Sequence, residues 1–150
     1  TATAALLAGD SIYLGHVGDS RAYLLREGQL TQLTEDHSLV ADQVRQGLLR
    51  PEEAERHPMR NILTQTVGMG ETIVPFTRTL AVEEGDRLLL CSDGLHGFLN
   101  DRAIADIMLR EQDSESVADA LIEEAIAVGG TDNITVLLVS FDGLEEPSQG

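Results

Sequence analysis

Residues 12–33 read IYLGHVGDSRAYLLREGQLTQL, and the punctuation of this stretch decides the fold. Ile12–Val17 is an apolar run of β-favouring composition. Gly18-Asp19-Ser20 has the composition of a turn. Arg21–Arg26 and Gln29–Leu33 flank Glu27-Gly28, a two-residue hairpin signal. Just upstream, Thr1–Leu7 is β-branched and apolar, and Ala8-Gly9-Asp10-Ser11 turns it back. Strands joined by links this short are expected to form one antiparallel sheet, because parallel neighbours need long crossovers.

Beyond Asp36 the pattern changes. Ser38 is placed to cap a short helix through Gln46, stopped by Gly47. Pro51-Glu52-Glu53-Ala54 reads as the first turn of another helix, which His57-Pro58 ends. The stretch to Gly70 reads as an insertion lying over the sheet. Strands are predicted at Asn61–Thr66 and Phe76–Leu80. After the turn Glu83-Glu84-Gly85-Asp86, Arg87–Ser92 is a continuous apolar strand, expected to be buried on both faces. Asn100 caps a predicted helix over Asp101–Arg110, with Ile104, Ile107 and Met108 on one face. Ser116, with Asp119 three residues on, reads as the cap of a second. Its apolar face is Val117, Leu121, Ile122, Ala125 and Ile126, and Gly129-Gly130 ends it. Ile134–Phe141 is the last predicted strand, and Asp142–Gly150 reads as a frayed tail. Strands first and helices later indicate a layered α+β sandwich.

The chain has 150 residues, enough for one domain with a real core. It holds ten Lys+Arg against 26 Asp+Glu, a formal charge of −16. So acidic a surface argues against a nucleic-acid partner and an anionic membrane surface. No stretch approaches the roughly 20 apolar residues of a membrane span. The start at Thr1, inside an apparent strand with no leader before it, suggests a trimmed or partial chain. If the substrate is anionic, bound cations must stand between it and the carboxylates. Cys91 is the single cysteine. One cysteine allows no internal disulfide, which fits a reducing compartment and a cytoplasmic location. A cysteine nucleophile for phosphate would need an Arg-ended anion loop. Cys91-Ser92-Asp93-Gly94-Leu95 has none, so Cys91 is read as a buried strand residue.

Two aspartates sit where chemistry is usually done. Asp93 follows the buried strand directly, and Asp132 lies in Gly129-Gly130-Thr131-Asp132-Asn133 just before the last strand. Each alone is equally explained as a turn residue beside glycine. Together they describe a site for a hard cation, which prefers rigidly held carboxylate oxygens.

Four motifs occur in order: Gly18-Asp19-Ser20-Arg21, Asp36-His37-Ser38, Ser92-Asp93-Gly94 and Gly130-Thr131-Asp132-Asn133-Ile134. In type and spacing they resemble the type 2C (PPM) metal-dependent protein serine/threonine phosphatases of the bacterial kind, from about Thr1 to Phe141. The resemblance implies a four-layer α-β-β-α sandwich of two antiparallel sheets flanked by helices. It implies hydrolysis of phosphoserine and phosphothreonine in proteins by a water held between two Mn²⁺ or Mg²⁺ ions, with a third ion in some members. Asp93 and Asp132 match the family's metal-ligand aspartates, and Asp19 the aspartate of the weaker third position. Residues 39–70 correspond to its flap, residues 1–142 to the C-terminal portion of its catalytic domain, and 143–150 to a tail. The family's early acidic motifs, which would lie upstream of Thr1, have no counterpart here, so this chain carries only part of the ligand set. Gly97 stands where many members carry an Asp that assists the third metal.

The other candidates read as structural. Arg21 and Asp36 are expected to pair and pin a hairpin to the following loop. His37 reads as a hydrogen-bonded loop residue rather than a proton shuttle, His96 as an exposed loop residue, and His57 as a helix-end residue. Met59 and Met69 read as flap packing residues. The expected partners are phosphoserine and phosphothreonine proteins, together with a cognate serine/threonine kinase and its substrates. Strand edges left unpaired are expected to make the chain self-associate. The alternative function is a catalytically incomplete phosphatase-like module acting as a scaffold or phosphoprotein-binding partner.

Overall fold

The computed structural model describes residues 1–143. The chain runs β1 (Ala2–Ala8), β2 (Ser11–Val17), β3 (Arg21–Arg26), β4 (Gln29–Gln32), α1 (Leu39–Arg45) and α2 (Pro51–Ala54). It continues through β5 (Phe76–Ala81), β6 (Arg87–Cys91), α3 (Asp93–His96), α4 (Asp101–Arg110), α5 (Ser114–Ala127) and β7 (Val136–Ser140). The β3–β4 hairpin forms as its turn residues require. Glu27 and Gly28 both have positive φ, 50° and 79°, the twist that matches two antiparallel strands.

The strands do not make one sheet. They make two antiparallel sheets, of order β1-β2-β5 and β4-β3-β6-β7. The expectation of a single sheet through residues 1–33 is corrected at Gly18-Asp19-Ser20. There the chain crosses from one sheet to the other instead of folding back. A strand has two edges, and those of β2 are taken by β1 and β5, so β3 pairs with β4 and β6.

The four-stranded sheet borders two cores and the three-stranded sheet one. Ile12 and Leu14 of β2 meet Ala22, Leu24 and Leu88 between the sheets. On the far side of the four-stranded sheet, Tyr23, Leu89 and Cys91 pack against Ile104, Met108, Val117 and Leu121 of α4 and α5. Strand β6 therefore has both faces covered, as its unbroken apolar run predicts. The outer face of the three-stranded sheet is open: Leu6 is 65% exposed and Tyr13 47%.

The helices follow their caps. Asn100 accepts from the Ala103 N–H at 2.9 Å, and Ser38 from the Ala41 N–H at 3.3 Å. The cap of α5 is Asp113, not Ser116. Asp113 accepts the Ser116 N–H at 2.8 Å, so the helix starts two residues before the expected cap. Asp, Ser and Ser at 113, 114 and 116 all suit a cap, and pattern alone does not rank them. The apolar face of α5 is also narrower than expected, with Ile126 exposed.

The expected strand at Asn61–Thr66 is absent. This stretch makes only an isolated bridge between Ser38 and Leu63. Met59 and Met69 are about half exposed, so they do not pack the flap as expected. The last strand begins at Val136 rather than Ile134, and the expected tail at 143–150 lies outside the described residues except for Gly143. Among the described residues no helix is long and apolar enough to cross a membrane.

Candidate functional site

Asp19, Asp93 and Asp132 come from three separate parts of the chain to line one open cleft of about 1000 Å³. Asp93 opens the single helical turn α3 at the end of β6. Asp132 precedes β7, the neighbour of β6, and exchange across those two strand ends ties the loops together. The Ser92 N–H donates to the Thr135 carbonyl, and the Thr135 N–H donates to Ser92 Oγ, both at 3.0 Å. Gly94 packs so closely on the Asn133 carbonyl that a Cβ there would collide with it. Ser92-Asp93-Gly94 and Asp132-Asn133 are thus one knitted unit.

Asp19 sits on the crossover between the sheets. Gly18 has φ +109°, a conformation glycine adopts readily, and a Cβ there would collide with the Thr1 side chain. Beside it, Arg21 pairs with Asp36 as expected. Its Nε donates to Asp36 Oδ1 at 3.0 Å and its Nη2 to Oδ2 at 2.8 Å. Arg21 Nη1 also donates to the Tyr23 hydroxyl, which donates to Asp101 Oδ1 at 3.0 Å. This chain of bonds joins the loop after β4 to the start of α4.

The histidines differ from a catalytic arrangement. His37 is buried, and its Nδ1 accepts the Gly18 N–H at 3.0 Å, as expected of a hydrogen-bonded loop residue. His96 is not the exposed loop residue expected. It lies half-buried in α3, and its Nε2 donates to the Asp19 carbonyl at 2.7 Å. His57 Nδ1 accepts the Met59 N–H at the end of the α2 turn.

Partial burial, with the negative charges of Asp93 and Asp36 nearby, pushes the Asp19 carboxyl up to about 6. Crowded carboxylates of this kind suit a hard divalent cation in donor chemistry. They fall short in number: among the described residues, no group of three or more His, Cys, Asp or Glu is placed to hold a metal ion. Gly97 is the exposed residue that ends α3 and offers no further ligand. Burial pushes the Cys91 thiol up to about 12, which removes it as a nucleophile.

Across the cleft stand cations that the sequence reading did not single out. Arg45, Arg56 and Arg60 of the segment after β4 line it. Arg45 is engaged by Asp42, whereas Arg56 and Arg60 make no ion pair among the described residues. One signal was available: four of the ten cationic side chains fall between positions 45 and 60.

This antiparallel sandwich is shared with known enzymes. The family model for protein phosphatase 2C matches residues 1–43. Protein phosphatase PhpP of Streptococcus pneumoniae is 44% identical over 138 residues, covering 92% of this chain and 56% of the relative. The crystal structure of the Mycobacterium tuberculosis serine/threonine phosphatase PstP superposes with a TM-score of 0.89 at 40% identity, over 94% of this chain and 59% of that one. The catalytic domain of PstP in complex with two manganese ions superposes with a TM-score of 0.80, also at 40% identity, over 91% of this chain and 56% of that one. Family model, sequence relatives and solved structures all make this chain similar to protein phosphatase 2C enzymes. It spans between half and three-fifths of the length of these relatives.

Proposed function

We propose that this chain is the metal-facing and substrate-facing portion of a protein serine/threonine phosphatase acting on phosphoserine and phosphothreonine. Residues 1–142 are its share of the catalytic domain, and 39–70 its flap. Asp93 and Asp132 are carboxylate ligands to Mn²⁺ or Mg²⁺, and Asp19 the ligand of a weaker third position. The observation that carries this reading is the meeting of those three carboxylates in one cleft, in a chain whose relatives include named serine/threonine phosphatases.

When bound, divalent cations supply an acidified water and neutralise phosphate charge. The chain's own residues do the rest. Asp93 and Asp132 present their oxygens from the two knitted loops beside the ends of β6 and β7. Arg56 and Arg60 offer positive charge to an anionic substrate entering between flap and sandwich. Buried Cys91 stays out of the chemistry. The substrates in this reading are phosphoproteins made by a cognate serine/threonine kinase.

The test is turnover of p-nitrophenyl phosphate and phosphothreonine peptides by these residues within a complete domain of the relatives' length. Activity is expected with Mn²⁺ and lost on chelation, and Asp93→Asn is expected to lower it by at least about 100-fold, in the upper range for losing a ligand's support. Metal-independent turnover, or an undiminished Asp93→Asn enzyme, would refute the reading. Residues 1–150 alone are expected to bind Mn²⁺ weakly and to be nearly inactive, because too few ligands meet there. The second reading, a phosphoprotein-binding module without turnover, is favoured by that same shortage. It predicts phosphopeptide binding with no metal-dependent hydrolysis even in the complete domain.

A further inference from the structure

Three of the four histidines converge on two residues. His37 takes the Gly18 N–H on its Nδ1 at 3.0 Å, and its own backbone N–H donates to the Gly18 carbonyl at 2.8 Å. His16 Nε2 lies 2.9 Å from that same carbonyl. His96 Nε2 holds the next carbonyl, that of Asp19, at 2.7 Å. Every hydrogen-bonding group of the Gly18 backbone is thereby occupied by His16 or His37. The two rings also stack, with centroids 5.4 Å apart.

The bonds fix the tautomers. A carbonyl only accepts, so His16 carries its proton on Nε2, and its Nδ1, 2.8 Å from Thr3 Oγ1, accepts from that hydroxyl. An N–H only donates, so His37 Nδ1 is bare and its proton sits on Nε2. His16, His37 and Gly18 are all buried. Burial shifts both rings downward from the ordinary imidazole range, in the direction of the neutral forms that the bonds require.

We propose that His16 and His37 are positioning residues whose neutral rings clamp the Gly18 peptide, and so aim the adjacent Asp19 carboxylate into the cleft for a divalent cation. Strand β2 ends at Val17, and nothing in regular sheet pairing holds Asp19 beyond it. The Gly18 backbone, being glycine with positive φ, is the freest link in the crossover. Two rings on its two polar groups remove that freedom. The inference rests on the reading of Asp19 as a cation ligand.

The experiment is Mn²⁺ binding by residues 1–150, read by water-proton relaxation and needing no turnover. Asp19→Asn defines the Asp19-dependent part of the affinity, and Asp93→Asn tests the metal reading itself. His37→Phe keeps the ring's bulk and removes the acceptor. It is expected to weaken Asp19-dependent binding about tenfold, the scale of losing a group that orients a ligand. His37→Asn places an oxygen near the former Nδ1 and is expected to restore affinity to within about threefold of the parent, and a loss equal to that of His37→Phe would overturn the clamp. If His37→Phe does not fold, Thr3→Val on edge strand β1 carries the test. It frees His16 Nδ1 and is expected to weaken the same binding at least about twofold. Asp19→Asn weakening Mn²⁺ while His37→Phe, or Thr3→Val in its place, leaves affinity unchanged would overturn the clamp alone. Mn²⁺ binding indifferent to both Asp19→Asn and Asp93→Asn would overturn the metal reading, and the clamp's purpose with it.

Discussion

Inner strands β3 and β6 of the four-stranded sheet are covered on both faces, by the other sheet on one side and by α4 and α5 on the other, whereas edge strand β7 leaves Leu137 53% exposed and the three-stranded sheet is covered on one face only. The residues record the difference. In β6, Leu88 faces the intersheet core, and Leu89 and Cys91 face the helices. In β2, Ile12 and Leu14 are buried while Tyr13 between them is exposed. The candidate site draws on both regions unequally. Asp93 follows the doubly covered strand β6, and Asp132 lies in the loop before its neighbour β7 that is tied to Ser92. Asp19 hangs on the crossover from the singly covered one, and is the residue that needs a separate clamp. A carboxylate at the end of a fully packed strand is positioned by the core itself.

This contrast can be broken most decisively in the core. Leu89→Ala opens a cavity at a residue of 0% exposure and is expected to cost about 2–5 kcal/mol by denaturant melts. Leu6→Ser on the open face is expected to change stability by less than about 0.5 kcal/mol. Equal costs would show the two sheets to be equally covered.

The seam between the sheets gives the next largest effect. Arg26, at the end of β3, donates to Asp86 Oδ1 and Oδ2 at 2.8 and 2.6 Å and to the Ala81 carbonyl at the end of β5. Asp86 also accepts the Glu83 N–H at 2.8 Å. Burial alone would raise the Asp86 carboxyl, but these bonds outweigh it and hold it below the ordinary range. Its folded value is depressed, so its stabilisation is present above the unfolded pKa of about 3.9 and is lost as pH falls through the folded value. Asp86→Asn is expected to cost about 1–3 kcal/mol at pH 7. The gap from the parent should close on acidification below about pH 3.9. A gap independent of pH would show the ion pair to be idle.

The smallest effect concerns the open face. It carries Leu6 and Tyr13 at the unpaired side of the molecule, and residues 1–150 are expected to self-associate there or along the β1 edge as a symmetric dimer. Sedimentation at micromolar concentration checks this, and Leu6→Lys with Tyr13→Lys should shift the chain towards monomer. A parent chain that sediments as a monomer would mean that the open face needs no cover.

Local chemistry was legible wherever neighbours in sequence decide the outcome. The Glu27-Gly28 turn, the Ser38 and Asn100 caps, and the burial of Arg87–Cys91 all follow from a few adjacent residues. The Arg21–Asp36 pair was legible from complementary charge. The crossover at Gly18 was not, because a turn into a new sheet and a turn back into the old one use the same residues. Asn61–Thr66 has strand-like composition but meets no partner strand to extend its single bridge. The histidine clamp left no mark in the pattern, because His16 and His37 bind backbone groups that every residue possesses. His96 is held in the same way, which is why it looked like an idle loop residue.

The burial of Cys91 has a practical consequence. Alkylating reagents attack thiolates, and a thiol pushed up to about 12 and shielded by Tyr23, Leu89 and Leu95 presents almost none. Iodoacetamide can reach it only when the core between β6 and the helices opens. The protein thus carries an intrinsic clock for its own breathing. The rate at which its single thiol is labelled counts the openings of that core, without any added probe.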